Sequence, residues 1–187
     1  MTDVKPMRAD ARRNYERLLA EAKRAFTERG VDASLEDVAR SAGVGIGTLY
    51  RHFPTREVLL ETLLRDRFDT QAGKARELLA AEDPLDGLYT WLVGFGTASG
   101  AYRGLTELLA DAINDPGSAL HASCHAMQEA ASQLVDRAKE AGALRADVTT
   151  RELLLLLHGA SWAGTHLPGE RGMERLLTLV FEGLRAS

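Results

Sequence analysis

Apolar residues recur at helical spacing along nearly the whole chain, and no segment alternates convincingly with the two-residue period of a strand. Segments rich in Ala, Leu, Glu and Arg, which favour helices, dominate the sequence. Glycine, proline and short polar residues interrupt them, among other places at Gly43, at Asp83 with Pro84, in the run NDPGS at 114–118, and at Pro168 with Gly169. The pattern predicts an all-α protein.

The helices that follow from this pattern differ in which faces are apolar. A first helix is expected over about 10–29, and a long one after Pro54 and Thr55. A later helix is expected over about 119–140 and is closed by Gly142. The run 153–157 is apolar around most of a helix, so we expect cover on two sides, and the last helix has one apolar face. The expected buried stripe of the long helix is Leu59, Leu60, Leu63, Leu64, Phe68, Ala72, Ala75 and Leu79.

Residues 34–56 predict two short helices joined by a tight turn. Ser34 can cap the first helix, and Gly43 follows it where a left-handed residue is needed. In the second helix Leu49 and Phe53 share the inner side, which leaves polar residues on or near the outer side. This layout is typical of a DNA-binding helix-turn-helix. The outer residues are Thr48, Tyr50, Arg51 and His52.

The run AGVGIGTLYRHFPTR at 42–56 resembles the signature of the TetR/AcrR (tetracycline-repressor) family. The resemblance implies a three-helix DNA-binding domain over 1–55 and a helical effector-binding and dimerisation domain over 56–187. It further implies a repressor that binds a palindromic DNA operator as a homodimer through its last two helices and is released by a small-molecule effector. Family members often carry Ser and Lys at the places of Gly45 and Ile46, so the operator sequence cannot be borrowed from relatives.

We predict that the second helix of this motif and the start of the next one contact DNA. Tyr50 is the strongest single candidate, since its ring can pack on a thymine methyl group or a sugar while its hydroxyl reaches a phosphate. For His52, packing on a neighbouring helix is nearly as good an interpretation. Arg8, Arg12 and Arg13 could contact phosphates or belong to a solvated helix end. The predicted DNA-binding residues are Gly45, Ile46, Gly47, Thr48, Tyr50, Arg51, His52 and Arg56.

The charge of the chain is unevenly distributed. The net charge is −4, which by itself argues against a nucleic-acid partner. Residues 1–56, however, carry 11 Lys and Arg against 8 Asp and Glu, while the remainder carries 12 against 19. A positive N-terminal part on an acidic body is expected of a DNA-binding protein with a regulatory domain.

The second domain contains candidates for an effector pocket. Large apolar residues at helical spacing are more often ordinary core. Gly87, Gly94, Gly96 and Gly100 lie inside one expected helix, which suggests a close helix approach, a bend, or room for a ligand. The candidate ligand-binding residues are Trp91, Phe95, Tyr102, Cys124, Met127, His158 and Trp162.

Two alternative functions stay open at this point. His121, Cys124 and His125 lie at helical spacing and could share a zinc, copper or nickel ion in a metal-responsive regulator, although no recognised metal motif supports this. An adaptor that binds no DNA is the other alternative. Motifs of nucleophilic, nucleotide-dependent or metal-dependent catalysis are absent from the sequence, so we expect neither an enzyme nor a cofactor.

The single cysteine and the ends of the chain bear on location. One cysteine excludes an intramolecular disulfide and suits a reducing compartment. The first residues do not resemble a signal peptide, and no apolar run reaches the length of a membrane span. We therefore expect a soluble, cytoplasmic protein without a membrane partner.

Overall fold

The computed structural model describes residues 5–30, 32–97, 108–164, 166–167 and 172–185. These residues form nine α-helices and no strand, which confirms the all-α prediction. The helices are α1 (Lys5–Arg29), α2 (Leu35–Ser41), α3 (Ile46–His52), α4 (Arg56–Leu78), α5 (Pro84–Thr97), α6 (Ala110–Asn114), α7 (Ala119–Glu140), α8 (Thr150–Gly164) and α9 (Gly172–Leu184).

The described residues fall into two compact units. The first contains residues 5–64 and 108–112, and the second contains residues 65–97 and 113–185. Helix α4 therefore contributes its first turns to one unit and the rest to the other.

The first unit is built around α1, which packs on both α2 and α3. Its core includes Leu18, Ala22 and Phe26 of α1, together with Val38 of α2 and Leu49 of α3. Helix α1 begins at Lys5, before the expected start at Asp10. Pro6 does not prevent this, because proline is tolerated in the first turn of a helix, where its missing N–H would have no intrahelical partner.

The apolar stripe of α4 is buried as the sequence predicts, except at its last position. Leu79 is half-buried and lies just beyond the end of the helix at Leu78. The backbone N–H of Leu79 still donates to the carbonyl of Ala75, so the helical turn is completed there.

In the second unit α5 packs on α7, α8 and α9. Gly96 makes this close approach possible: an added Cβ would lie 2.6 Å from both Leu157 Cδ1 and Met173 Sδ. Of the three explanations for glycines in this helix, close helix approach is thus confirmed at Gly96. The interruption predicted at Asp83 and Pro84 is confirmed: Pro84 opens α5, and Asp83 Oδ1 accepts from the N–H of Leu85 at 2.8 Å.

Capping side chains and a left-handed glycine fix both ends of α7 and the start of α8. Ser118 caps α7 by accepting from the N–H of His121 at 2.9 Å, and Gly142 closes the helix at a φ of +67°. Thr149 and Glu152 form a complete capping box at the start of α8: the N–H of Thr149 donates to Glu152 Oε2 at 2.8 Å, and the N–H of Glu152 donates to Thr149 Oγ1 at 3.2 Å. Helix α8 keeps one apolar face open, with Leu155 63% and Leu156 42% exposed.

In the described part of the chain, no helix combines the length and the hydropathy that crossing a membrane would require.

Candidate nucleic-acid interface

The turn between α2 and α3 depends on Gly43. Its φ is +69°, in the left-handed region that side chains adopt only at a cost. The N–H of Gly43 donates to the carbonyl of Arg40, and the N–H of Val44 donates to the carbonyl of Ala39, each at 3.0 Å. These two bonds satisfy carbonyls at the end of α2 and turn the chain directly into α3, as the sequence predicts.

The start of α2 is fixed by Ser34 and Asp37. Ser34 Oγ accepts from the N–H of Asp37 at 3.2 Å, which confirms the predicted cap. The carboxylate of Asp37 pairs with Arg29 at the end of α1, at 3.1 Å, and with Arg40 one turn later on α2. Asp37 thus ties the end of α1 to α2.

Helix α3 has one buried side and one open side. Leu49 and the adjoining Phe53 are 0% and 1% exposed, whereas Tyr50 is 46% exposed and Arg51 is also exposed. Of the remaining positions at the start of this helix, Gly45 and Gly47 are exposed, and Ile46 and Thr48 are half-buried. No side chain caps the N-terminus of α3 at Gly45, and an added Cβ at Gly45 or Gly47 meets no atom within 4 Å. The backbone at the start of α3 is therefore open to a close approach by a DNA backbone.

His52 is held against α1. Its ring lies 5.8 Å from the ring of Tyr15 in an edge-to-face arrangement, and Tyr15 also stacks on Phe53 at 5.2 Å. This is the packing that the sequence offered as the alternative to a DNA contact for His52. Sequence reasoning missed Tyr15, although its position three residues before the buried Leu18 was a usable signal.

Arg56 has a structural contact in addition to its predicted role. Its side chain is half-buried, and Nη1 donates to the carbonyl of Ala33 at 2.8 Å. Ala33 immediately precedes the cap of α2, so this bond connects the first turn of α4 to the loop before α2. A contact of Arg56 with DNA stays a prediction.

The arginines of α1 pair with acidic side chains of the same helix. Arg12 lies 2.8 Å from Glu16, and Arg13 pairs with Asp10. Both arginines are well exposed, and such surface pairs contribute little to stability, so a phosphate could replace the carboxylate at low cost. The side chain of Arg8 lies outside the described residues.

Two of the predicted effector-binding residues stack on each other in the second unit. Trp91 is 2% exposed and its Nε1 donates to the main-chain carbonyl of Gln71 at 2.9 Å. The ring of Phe95 stacks on Trp91 at 5.3 Å, and the guanidinium of Arg67 lies over Phe95 at 4.4 Å from the ring centre. Gln71, which sequence reasoning missed, is itself 3% exposed, and its side-chain Oε1 has no hydrogen-bond partner among the described residues.

The other effector-binding candidates are dispersed. Met127 and Cys124 are buried on α7; Gln128 donates to Cys124 Sγ at 3.4 Å, and burial raises the pKa of the Cys124 thiol. His158 and Trp162 lie on the open side of α8, Trp162 being 64% exposed. Tyr102 lies outside the described residues.

The geometry of His121, Cys124 and His125 does not form a metal site in the described part of the chain. His121 Nδ1 is bonded to the carbonyl of Ile113 at 2.8 Å, and His125 lies 3.7 Å from Glu129. The described residues hold no group of three or more His, Cys, Asp or Glu side chains arranged to bind a metal ion.

Comparison with known families places this geometry in context. Residues 18–63 match the family described as bacterial regulatory proteins, tetR family, and residues 83–186 match the C-terminal domain of SbtR-like transcriptional regulators. The chain belongs to the TetR family. The suspected resemblance is thereby confirmed, and the protein is a DNA-binding transcriptional regulator and not an enzyme.

Solved structures and curated relatives agree with this assignment. A TetR transcriptional regulator from Streptomyces coelicolor is 37% identical, with 92% of this chain and 98% of that chain covered at a TM-score of 0.72. A TetR regulator from Mycobacterium vanbaalenii is 33% identical, with 97% and 100% covered at a TM-score of 0.71. The HTH-type transcriptional repressor KstR2 of Mycolicibacterium smegmatis is 40% identical over 73 residues, a match that covers 38% of this chain and only 36% of KstR2.

Proposed function

We propose that this TetR-family regulator is a repressor that binds a palindromic operator as a homodimer and is released by a small-molecule effector. The observation that carries the proposal is the open side of α3. Tyr50 and Arg51 are exposed there although Leu49 of the same helix and Phe53 directly after it are almost fully buried. A helix anchored on one side and open on the other can enter a major groove without unfolding anything.

The predicted contacts divide by chemistry. Arg51 would pair with a phosphate or a guanine edge, and Tyr50 would pack on a thymine methyl group or a sugar. Gly45, Gly47 and Thr48 would let the N-terminus of α3 approach a phosphate. Ile46, half-buried, would contribute at most an apolar contact. His52 would act mainly by holding the end of α3 against Tyr15 of α1, and Arg56 by holding the start of α4 to the loop before α2.

A homodimer follows from what one such helix can recognise. One helix contacts too few base pairs for a specific site, whereas two copies related by a two-fold axis bind half-sites about 34–36 Å apart. The open apolar side of α8 and Leu179 of α9, which is 47% exposed, supply a surface for self-association.

The effector response is supported by Gln71. A buried amide oxygen without a partner costs about 1–3 kcal/mol, which a ligand with a hydrogen-bond donor could recover. The stacked rings of Trp91 and Phe95 belong to α5, and Gln71 belongs to α4. The two lie close together because the Trp91 indole donates to the main-chain carbonyl of Gln71. An effector with a flat apolar body and one donor group would suit this region, with Tyr102, Cys124 and Met127 as further candidate contacts.

The metal-responsive alternative is weaker. Cys124 is buried and its thiol pKa is raised by that burial, which disfavours the thiolate that a metal needs. A regulator bound to chromosomal DNA would act in the cytoplasm.

The test is selection of bound sequences from a random duplex pool, followed by titration of the enriched duplex at two salt concentrations. We expect a palindrome and a steep fall of affinity with salt. A screen for small molecules that release this duplex then tests the effector response, and Gln71→Leu should weaken release without weakening operator binding. Enrichment of a single unrepeated half-site would contradict the dimeric operator.

A further inference from the structure

Three consecutive positions at the start of α3 offer no polar side chain to DNA. Gly45, which directly precedes the helix, and Gly47 are exposed and have no side chain, and Ile46 between them is half-buried and apolar. An added Cβ at either glycine meets no atom within 4 Å. Base recognition by this part of α3 therefore depends on Ile46, whose side chain forms no hydrogen bonds.

Ile46 and Tyr50 share one face of α3. They lie four positions apart, which places their side chains one above the other, about 6 Å apart along the helix axis. Ile46 is half-buried, and Tyr50 is 46% exposed. We refer to these two side chains as the apolar ridge. Because base pairs are stacked about 3.4 Å apart, the ridge spans about two base-pair steps of a duplex.

The apolar ridge flanks the most outward line of the helix. Gly47 and Arg51 each lie two positions from the buried Leu49, so at about 100° per residue they lie about 160° away from it. Gly47 has no side chain that would hold the helix away from the floor of a major groove. Helix α3 can therefore enter the groove deeply enough for the ridge to contact base edges, with Arg51 beside it.

The major groove presents one apolar group that suits such a ridge. Thymine carries a methyl group at C5, whereas the groups that distinguish the other bases there are hydrogen-bond donors and acceptors. An aliphatic side chain over a donor or an acceptor removes water from it without replacing the hydrogen bond, which is unfavourable. Ile46 therefore favours a methyl group beneath it, and the ring of Tyr50 favours another one turn later.

We propose that the apolar ridge is a binding site for C5-methyl groups, which the operator presents beneath Ile46 and Tyr50 about two base pairs apart. This inference rests on the proposed function and adds the chemical group by which the operator is recognised. Thymine and 5-methylcytosine both carry this methyl group in the major groove. They differ at C4, where thymine has an acceptor and cytosine a donor, and the Ile46 side chain bonds to neither. A methylated cytosine beneath Ile46 thus replaces thymine.

Uracil substitution in the operator tests the methyl contact with the full chain. Deoxyuridine lacks only the C5-methyl group of thymidine and keeps its hydrogen-bonding edge, so each thymine of the selected operator is replaced singly. Burial of one methyl group corresponds to about a fourfold change in affinity, and the same replacement in both half-sites to about 15-fold. We expect these losses at the thymines beneath the ridge. Thymines elsewhere in the operator are the controls and should show no loss.

Matched variants assign each methyl group to its side chain. Ile46→Ala should abolish the uracil penalty at one thymine, and Tyr50→Ala should abolish it at another, about two base pairs away. Thr48→Ala is the control: Thr48 lies on the opposite flank of α3 from the ridge, so its uracil penalties should match those of the unaltered chain. Each penalty is the ratio of two affinities measured on one protein sample, so a general loss of binding or of folded protein cancels.

Cytosine methylation separates the methyl group from the rest of the base pair. At the position beneath Ile46, the thymine–adenine pair is replaced by cytosine–guanine and, in a second duplex, by 5-methylcytosine–guanine. The methylated duplex should bind about four times more tightly than the unmethylated one, and Ile46→Ala should remove this difference. Equal affinities of the unaltered chain for the two duplexes would overturn the proposal, because the position is then recognised through its hydrogen-bonding edge.

The outcomes separate this inference from the proposed function. If selection enriches no duplex, the proposed operator binding itself is wrong. An operator may instead be enriched and bound with a steep salt dependence while uracil weakens binding at none of its thymines, or while Ile46→Ala leaves every uracil penalty unchanged. Either result overturns the methyl recognition and leaves operator binding standing.

Discussion

At the scale of single residues, the DNA-binding unit assigns different tasks to neighbours in the sequence. Leu49 is fully buried, and Tyr50, the next residue, is 46% exposed. Gly43 and Gly47 lie four positions apart, and of these two only Gly43 adopts a left-handed backbone. Substitutions at adjacent positions should therefore separate effects on folding from effects on DNA binding.

Tyr50→Ala should weaken operator binding while leaving the free energy of unfolding nearly unchanged, because its exposed ring contributes little to the core. Leu49→Ala should instead lower that free energy by about 2–5 kcal/mol, since it removes a buried side chain and leaves a cavity. Operator titration and urea unfolding of both variants check this pair. An unchanged operator affinity for Tyr50→Ala would remove Tyr50 from the interface.

Gly43→Ala should destabilise the protein by about 1–2 kcal/mol, because the left-handed backbone at this position is costly for any residue with a Cβ. Gly47→Ala is the matched control: its backbone is helical and open space surrounds it, so alanine should be neutral or stabilise by about 0.5–1 kcal/mol. Urea unfolding measures both. Equal destabilisation by the two substitutions would mean that the turn is not governed by the Gly43 backbone.

At the scale of elements, helix ends and helix-to-helix bonds position the functional surfaces. Arg56 connects the start of α4 to the loop before α2, and Asp37 connects α2 to the end of α1. Together these two contacts connect the first turn of α4, the loop before α2, α2 and the end of α1. The N-terminus of α4 also holds Glu57, where hydrogen bonds to its own backbone N–H and to the Thr55 hydroxyl lower the pKa of the carboxyl group.

Acid should remove the contribution of Glu57 to stability. Its pKa is lower in the folded protein than in the unfolded chain, so its contribution is present above the ordinary glutamate pKa of about 4.3 and is lost as the pH falls through the folded value. Glu57→Ala should therefore lower Tm at pH 7 and have a shrinking effect towards pH 3. Thermal unfolding at several pH values checks this, and Thr55→Ala should follow the same trend. A Tm difference that does not vary with pH would contradict it.

At the scale of the whole molecule, the N-terminal part carries a net positive charge and the remainder carries a net negative charge. Positive charge attracts DNA phosphates, and negative charge repels them. In the proposed homodimer each DNA contact occurs twice, so one substitution should act as if two phosphate contacts were lost.

Arg51→Ala should reduce the slope of log affinity against log salt by about 1.8, because each phosphate contact contributes about 0.9 and a dimer carries two copies. Arg76→Ala, an exposed arginine of α4 in the second unit, should leave the slope unchanged. Operator titrations over a range of salt concentrations measure both slopes. A change near 0.9 for Arg51→Ala would indicate a single copy on the DNA.

The sequence alone determined the features that depend on neighbours in the chain. The turn at Gly43, the caps at Ser34 and Asp83, the capping box of Thr149 with Glu152 and the sidedness of α3 all arise from interactions within a few residues, and such interactions can be recognised from spacing. The family signature at 42–56 is of the same local kind.

The tertiary structure decided everything that joins distant segments. Three contacts illustrate this: the bond of Arg56 to the Ala33 carbonyl, the packing of His52 on Tyr15, and the indole bond of Trp91 to the Gln71 carbonyl. Each joins residues 20 or more positions apart. Periodicity also could not tell which side of the Leu-rich α8 would stay open, because all its leucines are equally apolar. Only the packing of α8 on α5, α7 and α9 buries Leu153 and Leu157 and leaves Leu155, Leu156 and Trp162 exposed.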